Sequence, residues 1–509
     1  MKVAAVKTGC SRIGRALWLA ALTLLSAQLS GCDLAPVYRP PSMLLPASYQ
    51  GSGPFVVANP RDELPPGPWW RMFGDPILDR LEAALAASNP TLQAAQEAYT
   101  QSRDLAAEAR SGLYPQLSAS GLLSDNKQSR HRLFRGTSGF NQEASNEIAA
   151  SASWEPDFWD QIRNETRFAK NQAQATAAQV AAVKLSLEGA LASDYLALRG
   201  LDAQHGVYVQ TIRFYRNAVA ITGQRLAGKI ASALDVARSE NQLAVAESLD
   251  TATEAQRVLL QNAIAVLAGE NAISFDLPVQ EHPRLLEPRI PVGVPSELLE
   301  RRPDIAAAER RMAAENAAIG VSRAAFYPNI RLSALSGFQD NGFNLASLPN
   351  SLWEIGAGAI LPLFEGGLRR AELQRSWSAY AQATDDYRAT VLAAFQQVED
   401  GLSLSRLFAT EGRQQHAALQ AALRAQGMTL KLYTGGLTNY LDVTVSQIAA
   451  LSAEIAQAQV TTSRQQAVVG LIEALGGGWS TDDLPTPNQT LPFNPLDLGG
   501  SPGNVHQTH

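Results

Sequence analysis

The sequence predicts a mainly α-helical chain that also carries four amphipathic β-strands and is built as a tandem repeat. Three observations predict this fold class. A run without proline extends from Leu363 to Leu484, with its main turn signal at residues 433–439. The helical and turn motifs recur about 200 residues further along the chain. Two segments, 148–155 and 353–361, alternate between apolar and small or polar side chains.

The run without proline is interpreted as two long helices joined by a tight hairpin. Its first arm, from about Gly367 to Leu432, would be roughly 100 Å long at ~1.5 Å per residue. Globular helices average about 11–12 residues, so helices of this length need partners along their whole length. We therefore expect two long helical hairpins, at 160–270 and at 367–476, packed as a coiled coil or a tube of helices.

The composition excludes several function classes. The chain has 509 residues, of which 46% are hydrophobic and 18% charged, and its net charge is −6. This suits a large folded protein, and the mild acidity argues against nucleic-acid binding, which needs a basic face. The six histidines are scattered and form no HExxH motif. We expect no enzyme activity, no metal site and no cofactor.

The N-terminus has the pattern of a bacterial lipoprotein signal. A basic start is followed by an apolar segment, Ala16 to Ala27, that is short for a membrane span. It ends in Leu29-Ser30-Gly31-Cys32, which resembles a lipobox, so residues 1–31 are predicted to be cleaved and Cys32 to be acylated. The alternative is an ordinary signal with a chance cysteine. Asp33 resembles an inner-membrane retention signal, but the strands favour the outer membrane.

The mature chain begins with a segment rich in proline and glycine, 32–75, that is expected to be extended. Two helices then begin at Asp75-Pro76 and at Asn89-Pro90, each with a capping side chain before a proline at the first helical position. The first repeat is assigned to 76–300 and the second to 301–479. Residues 480–509 are expected to form a flexible tail.

The repeat is visible in matching motifs. Pro90–Pro115 and Pro303–Pro328 both begin at proline, continue as Ala-rich helices and end in Tyr-Pro. Leu234-Asp235-Val236 recurs as Leu441-Asp442-Val443. Each unit contains a helix, two strands, and two long helices joined by a hairpin. The strands are expected at about 115–125, 147–156, 329–339 and 352–361.

The strand segments have about the 9–11 residues that a tilted membrane strand needs. Two hairpins on a soluble sheet would give the same alternation. Four strands cannot close a barrel, because bacterial barrels begin at about 8 strands. Two chains would supply 8 strands and three would supply 12; the Ser, Gly and Glu residues on one face favour a wide, wet lumen. Membrane placement therefore requires several copies of the chain.

At this point the sequence resembles the outer membrane factor family of TolC-type channels, in its NodT-like lipoprotein branch that serves resistance–nodulation–division efflux systems. The resemblance rests on Leu298–Ile305 with Ala308-Glu309, on Trp154–Trp159, on the two hairpin turns and on Cys32. It implies a homotrimer with a 12-stranded outer-membrane β-barrel and a 12-helix periplasmic α-barrel tunnel. It also implies a passive exit duct for small toxic compounds that works with a periplasmic adaptor and an inner-membrane pump. The alternative is the duct of a type I protein secretion system.

The resemblance also suggests working residues. Asp442 and Tyr433 match a gate acid and a latch tyrosine of the family, and Asp235 is the equivalent acid of the first repeat. Both acids could instead only complement their helix dipoles, which is favoured for Asp235. The second family gate acid is Val445 here.

The first repeat also departs from the second, because it has Leu226 opposite Tyr433 and Lys229 opposite Gly436. Adaptor contact is expected at three glycines of the hairpin turns, and an apolar seam for packing between helices is expected further along the second hairpin. The glycines are Gly228, Gly435 and Gly436, and the seam consists of Leu441, Val445, Ile448 and Ile455.

Overall fold

The structure is a computed structural model that describes residues 33–42, 68–127, 129, 142–280, 283, 298–345 and 347–493. The expected signal peptide, the acylated Cys32 and the end of the tail from 494 lie outside the described residues. So do residues 281–282 and 284–297 of the connection between the two repeats. Elements are numbered below in chain order.

Helices dominate the described residues. They are α1 (Pro76–Ser88), α2 (Pro90–Ser111), α3 (Gln161–Ala227), α4 (Ala233–Leu267), a single turn α5 (Leu298–Arg301), α6 (Pro303–Ala324), α7 (Leu368–Thr434) and α8 (Tyr440–Ala474). The strands are β1 (Gln116–Lys127), β2 (Gln142–Trp154), β3 (Asn329–Asp340) and β4 (Ser351–Ile360). No helix within the described ranges combines the length and the apolarity needed to cross a lipid bilayer.

The two helical hairpins have matching dimensions. Helices α3 and α7 each have 67 residues, and α4 and α8 each have 35. Each helix of the second pair begins 207 residues after its counterpart (368 − 161 and 440 − 233). At ~1.5 Å per residue, α3 and α7 are each about 100 Å long. They pack against α4 and α8 respectively, and α3 also contacts α2, α6 and α8.

The capping side chains act as the sequence predicts. The Asp75 carboxylate accepts a hydrogen bond from the Ile77 amide at 2.8 Å, and the Asn89 side chain accepts one from the Leu92 amide at 3.0 Å. Each cap satisfies an amide at the helix start that has no partner within the helix. These caps position α1 and α2 against α3.

The four strands form one antiparallel sheet in the order β1-β2-β3-β4, so the junction between repeats is the pairing of β2 with β3. Ala119 lies opposite Ala150, Ala150 opposite Ser336, and Ser336 opposite Trp353. Because side chains alternate along a strand, this register places a continuous set of residues on each face. One face is apolar across all four strands and the other is rich in Ser, Gly and Glu.

The main core lies where α1, α3, α7 and α8 meet. Two predictions fail at its edges. Residues 69–73 form a 3-10 helix and not an extended segment, because Trp69 and Phe73 are buried in this core. Residues 480–493 do not behave as a flexible tail. Gln174 donates to the Pro485 carbonyl at 2.8 Å, and Leu484 packs against a small alanine cluster that includes Ala178.

Candidate gate at the hairpin ends

The turns of both hairpins have the same backbone geometry. In the first, the Ile230 amide donates to the Arg225 carbonyl at 2.8 Å; in the second, the Leu437 amide donates to the Leu432 carbonyl at 2.9 Å. Such bonds close a helix end around one left-handed residue. That residue is Gly436, with φ +76°, in the second hairpin, and Lys229, with φ +59°, in the first.

The three glycines expected at the turns therefore have different conformational needs. Gly228 and Gly435 have φ values of −77° and −76°, which any residue adopts. Only Gly436 occupies the left-handed region that favours glycine. A Cβ added at Gly436 would meet no atom within 4 Å. The space beside this turn is open.

Both candidate gate acids lie in the first turn of a helix. Asp235 forms a capping box with Ser232, in which each side chain binds the other residue's amide. The Asp442 amide binds the Asn439 side chain at 3.2 Å, and the Asp442 carboxylate accepts a hydrogen bond from the Thr438 hydroxyl. Each acid therefore complements the positive end of its own helix. Asp442 is exposed, whereas Asp235 is half-buried.

Tyr433 is the centre of a contact between the two hairpins. Its side chain is buried, and the Arg225 guanidinium lies over its ring at 4.7 Å from the centroid. Arg225 also donates to the Thr434 carbonyl at 3.3 Å. The arginine belongs to α3 and the tyrosine to α7, so a cation–π contact and a hydrogen bond connect the ends of the two long helices.

Tyr440 completes this cluster. Its ring is buried and meets the Tyr433 ring edge-on at a centroid distance of 5.2 Å. Burial, with a smaller contribution from the neighbouring Tyr433, raises the pKa of Tyr440 to about 12. Burial also raises the pKa of Tyr433; Arg225 opposes this rise and Asp235 adds to it. Both phenols are therefore neutral near pH 7. Asp235 is the acid whose negative charge contributes to raising both pKa values.

The structure thus brings Tyr433 and Asp235 together, with Asp442 bound to its own turn. Sequence reasoning missed Arg225 and Tyr440. The signal was available in the repeat alignment, because Arg225 corresponds to Leu432 and Tyr440 corresponds to Ala233. Residues that differ at equivalent turn positions are candidates for contacts that only one hairpin makes.

A hydroxyl pair ties the two helices of each hairpin together above the turn. Thr222 and Ser239 are 2.8 Å apart, and Thr429 and Ser446 are 2.6 Å apart. The second pair lies 207 residues after the first (429 − 222 and 446 − 239). Each hairpin is therefore joined internally by the same bond, whereas the Arg225–Tyr433 contact joins one hairpin to the other.

The arrangement defines a class of protein. An amphipathic four-stranded sheet continues directly into two helical hairpins about 100 Å long, whose free ends meet in a small polar and aromatic cluster. The sheet has one face suited to lipid and one suited to water. This is the architecture of a subunit of an outer-membrane channel with a periplasmic tunnel.

Comparisons with known proteins identify the family. The family model described as outer membrane efflux protein matches residues 81–270 and 294–477. The chain is 30% identical over 468 residues to the pyoverdine export outer membrane protein OpmQ of Pseudomonas aeruginosa, covering 91% of this chain and 97% of that protein. It is 28% identical to the cation efflux system protein CusC of Escherichia coli, covering 89% and 96%.

Solved structures agree. The outer-membrane channel OprN gives a TM-score of 0.81 at 25% identity, covering 88% of this chain and all of that one. The open state of the MtrE channel of Neisseria gonorrhoeae gives 0.78 at 25% identity, covering 89% of this chain. The chain therefore belongs to the outer membrane efflux protein family. It is an outer-membrane channel component of an efflux system, which confirms efflux over the type I secretion alternative.

Proposed function

We propose that three copies of the chain close into one gated duct that carries small toxic compounds out of the cell without an enzymatic step. Their sheets would form a 12-stranded β-barrel and their long helices a 12-helix α-barrel tunnel. A periplasmic adaptor and an inner-membrane pump would supply substrate and energy, and an acylated Cys32 would anchor each copy to outer membrane lipid. One observation carries this proposal, namely the two-faced sheet with open edges.

The faces of the sheet differ in the way that lipid and water require. Ser118 and Ser151 share a hydrogen bond at 2.7 Å on the polar face, and Gln339 donates to the Ser145 hydroxyl at 2.7 Å on the same face. The opposite face carries apolar side chains on every strand, many of them exposed in the single chain. They include Leu117, Leu123, Ile148, Leu332, Phe338, Trp353 and Ile355.

Both outer strands have an edge to fill. In the described sheet β1 pairs only with β2, and β4 only with β3. Open edges are not tolerated in lipid, because unpaired amides and carbonyls find no water there. The repeat indicates how these edges pair. Strand β4 is the counterpart of β2, and β1 is the counterpart of β3, so β4 of one copy can pair with β1 of the next in the way that β2 pairs with β3. Ala150 lies opposite Ser336 within the chain, so their counterparts, Ala357 of one copy and Leu123 of the next, should lie opposite each other between copies.

Cysteine cross-linking tests this register. Leu123→Cys and Ala357→Cys in one chain would lie directly opposite each other between copies, about 5 Å apart at Cβ, which a disulfide can bridge. Mild oxidation should give covalent species up to the trimer in denaturing gels. The control, Leu123→Cys with Ile355→Cys, shifts the register by two residues on the same face and should cross-link far less. Monomers from both pairs would contradict the proposed assembly.

The cluster at the hairpin ends is proposed as the latch of the gate. The Arg225–Tyr433 contact supports this assignment, because separating the two hairpins must break it. Asp235 lies close enough to raise the pKa of both tyrosines. Three copies would place three exposed Asp442 carboxylates around one axis, an arrangement that attracts cations. The exposed turns at Gly228, Gly435 and Gly436 are proposed to contact the adaptor.

The exported compound is proposed to be selected by the pump and not by this chain. Relatives of similar length and identity are named for pyoverdine export and for cation efflux. One duct architecture therefore accompanies chemically different cargo. Within the described residues, no group of three or more His, Cys, Asp or Glu side chains could hold a metal ion.

A further inference from the structure

A cavity of about 810 Å³ lies between the N-terminal segment 33–42, the first turns of α3, and α6. It is close to the end of the sheet that meets the helices. Helix α3 begins seven residues after β2 ends (161 − 154). The Trp159 indole between them donates to the carbonyl of Pro328 at 2.8 Å, directly before β3 begins. The cavity therefore lies beside the boundary between strands and helices.

Aromatic and apolar side chains mark the same level as a membrane boundary. Trp159 stacks on Tyr327 with centroids 4.7 Å apart. Leu363 and Phe364, just beyond β4, are 91% and 89% exposed in the single chain. Aromatic residues concentrate where barrel strands leave the hydrocarbon region of a bilayer. Phospholipid headgroups would therefore lie at the height of the cavity.

The cavity is lined by more cations than acids. Arg163, Arg167 and Lys170 are spaced by four and three residues and so share one face of α3. Arg310 of α6 adds a fourth cation, and Asp33 is the acid among the lining residues. Arg163 pairs with Asp160, Arg167 with Asp33 at 2.9 Å, and Arg310 with Glu309 at 2.5 Å.

Lys170 differs from the other three cations. No ion pair to it forms in the part of the chain that the structure describes. Its side chain is half-buried, and burial lowers its pKa, as does the nearby Arg110. Both effects disfavour its charged form, and an anion bound in the cavity would oppose them by favouring the charged form. The group of four cations therefore includes one half-buried lysine whose charge an added anion would stabilise.

The N-terminal segment shows where the lipid anchor would enter the membrane. Asp33 accepts hydrogen bonds from Asn164 at 3.1 Å and from Arg167 at 2.9 Å, and Arg323 donates to the Leu34 carbonyl at 3.0 Å. Asp33 directly follows Cys32, so an acyl chain on Cys32 would start beside this cavity. Asp33 thus fixes the anchor to α3.

We propose that this cavity binds the phosphate headgroup of an anionic glycerophospholipid from the leaflet that holds the N-terminal anchor, with Lys170 and Arg163 as the main contacts. The inference rests on the proposed acylation of Cys32, which places acyl chains and headgroups at this level. A phosphate accepts hydrogen bonds from several lysine and arginine side chains at once and neutralises their charges. Lys170 and Arg163 lie on one face of α3, two helical turns or about 10 Å apart, and their long side chains can reach one phosphate that lies between them.

Native mass spectrometry of the full-length acylated protein in detergent tests the proposal, with dioleoylphosphatidylglycerol as the probe. The wild type should bind it more tightly than dioleoylphosphatidylethanolamine. Lys170→Gln should weaken binding about five-fold, the effect of one basic residue at an anionic membrane surface. Arg163→Gln should add a similar loss, and Lys170→Arg should restore binding. The matched control is Arg370→Gln, since Arg370 is exposed and is the counterpart of Arg163 in the second repeat.

Each other outcome overturns the proposal. Equal binding of the two lipids would show that the cavity does not distinguish headgroup charge. Equal losses from Lys170→Gln and Arg370→Gln would place the lipid elsewhere. Displacement of the lipid by excess inorganic phosphate would make the site one for free phosphate. None of these results bears on the duct, because cross-linking between Leu123→Cys and Ala357→Cys reports on assembly independently.

Discussion

The two helical hairpins have equal lengths but different surroundings. Helix α3 has 23 buried residues, whereas α7, also of 67 residues, has eight. Helix α3 packs against α2, α4, α6 and α8, but α7 packs mainly against α6 and α8. The duplicated sequence therefore determines the same backbone twice, and the side chains determine which copy is central and which lies at the surface of the chain.

The surface of the second hairpin includes part of the apolar seam that the sequence predicts for packing between helices. Leu441, Val445 and Ile448 are 45%, 59% and 46% exposed. Ile455, the fourth residue of the seam, is partly buried against a cluster that includes Tyr208 and Ile212. Within the chain, α8 buries a different stripe that includes Tyr440 and Val443. In the proposed trimer the exposed stripe would meet the next copy. The second hairpin thus keeps exposed, apolar surface that the proposed contact between copies would cover.

The largest expected effect comes from a buried ion network of the first hairpin, whose central acid has alanine as its counterpart in the second. Asp202 is fully buried and accepts from Arg199 at 2.5 Å and from Arg257 at 2.6 Å. Arg257 also donates to the Leu277 carbonyl at 2.6 Å, which fixes the segment after α4. Asp202→Ala leaves two buried cations uncompensated and should cost about 3–5 kcal/mol. The measurement is the urea midpoint in detergent at fixed protein concentration.

The second repeat supplies the control for this prediction. Arg406 is the counterpart of Arg199, but position 409 is alanine where the first repeat has Asp202. Arg406 is exposed, so Arg406→Gln should change the free energy of unfolding by less than about 0.5 kcal/mol and leave the urea midpoint nearly unchanged. Equal effects from the two substitutions would mean that burial of the network does not distinguish the hairpins.

A pH dependence should follow from Glu82 of α1, which is fully buried. Its pKa is raised to about 9, mainly by burial and also by the nearby Glu188 of α3, while Lys184 opposes the rise. A raised folded-state pKa gives stability that is complete below the unfolded value, about 4.3, and is lost as pH rises toward 9. Stability should fall by up to about 1.4 kcal/mol per pH unit over this range.

Glu82→Gln should remove most of this pH dependence and stabilise the protein at pH 8. The measurement is the denaturation midpoint at pH 5, 6.5 and 8 for both variants. The second repeat has Phe395 where the first has Glu188. Glu188→Phe removes the second acid, so it should lower the pKa of Glu82 and weaken the pH dependence. A wild-type midpoint that stays constant between pH 5 and 8 would contradict the assignment of a neutral Glu82.

The contact between the hairpin ends should control opening. Arg225→Gln removes the cation over the Tyr433 ring and the bond to the Thr434 carbonyl. The loss of about 1–2 kcal/mol of closed-state stability would raise the open probability about 5- to 30-fold. Single-channel recording measures it. Lys431→Gln, at the exposed end of α7, should leave the closed state intact; equal opening in both would exclude Arg225 as a latch.

Sequence reasoning reached the elements but not the contacts between them. The hairpins and strands were predictable because turn residues, the absence of proline and alternation are local signals. The Arg225–Tyr433 contact was not, because it depends on which helices become neighbours after folding. The buried 3-10 helix at 69–73 was hidden in a segment rich in proline and glycine. Residues 480–493 were hidden in the same way, since composition alone does not show what covers a segment.

The smallest effect concerns the turn position at which both hairpins are left-handed but carry different residues. Lys229 has φ +59° and Gly436 has φ +76°. A left-handed conformation costs an L-residue about 1–2 kcal/mol, and glycine recovers part of this against a more flexible unfolded chain. Lys229→Gly should therefore stabilise the protein by up to about 1 kcal/mol.

Gly436→Lys should destabilise it by a similar amount, because no atom lies within 4 Å of a Cβ there and only backbone strain is added. The double variant with both changes exchanges the two turns, and its denaturation midpoint should lie close to that of the wild type. A double variant that is clearly less stable would show that one of these positions makes a side-chain contact in the assembled protein. The two turns would then share a backbone conformation but differ in their side-chain contacts, as the rest of the two hairpins do.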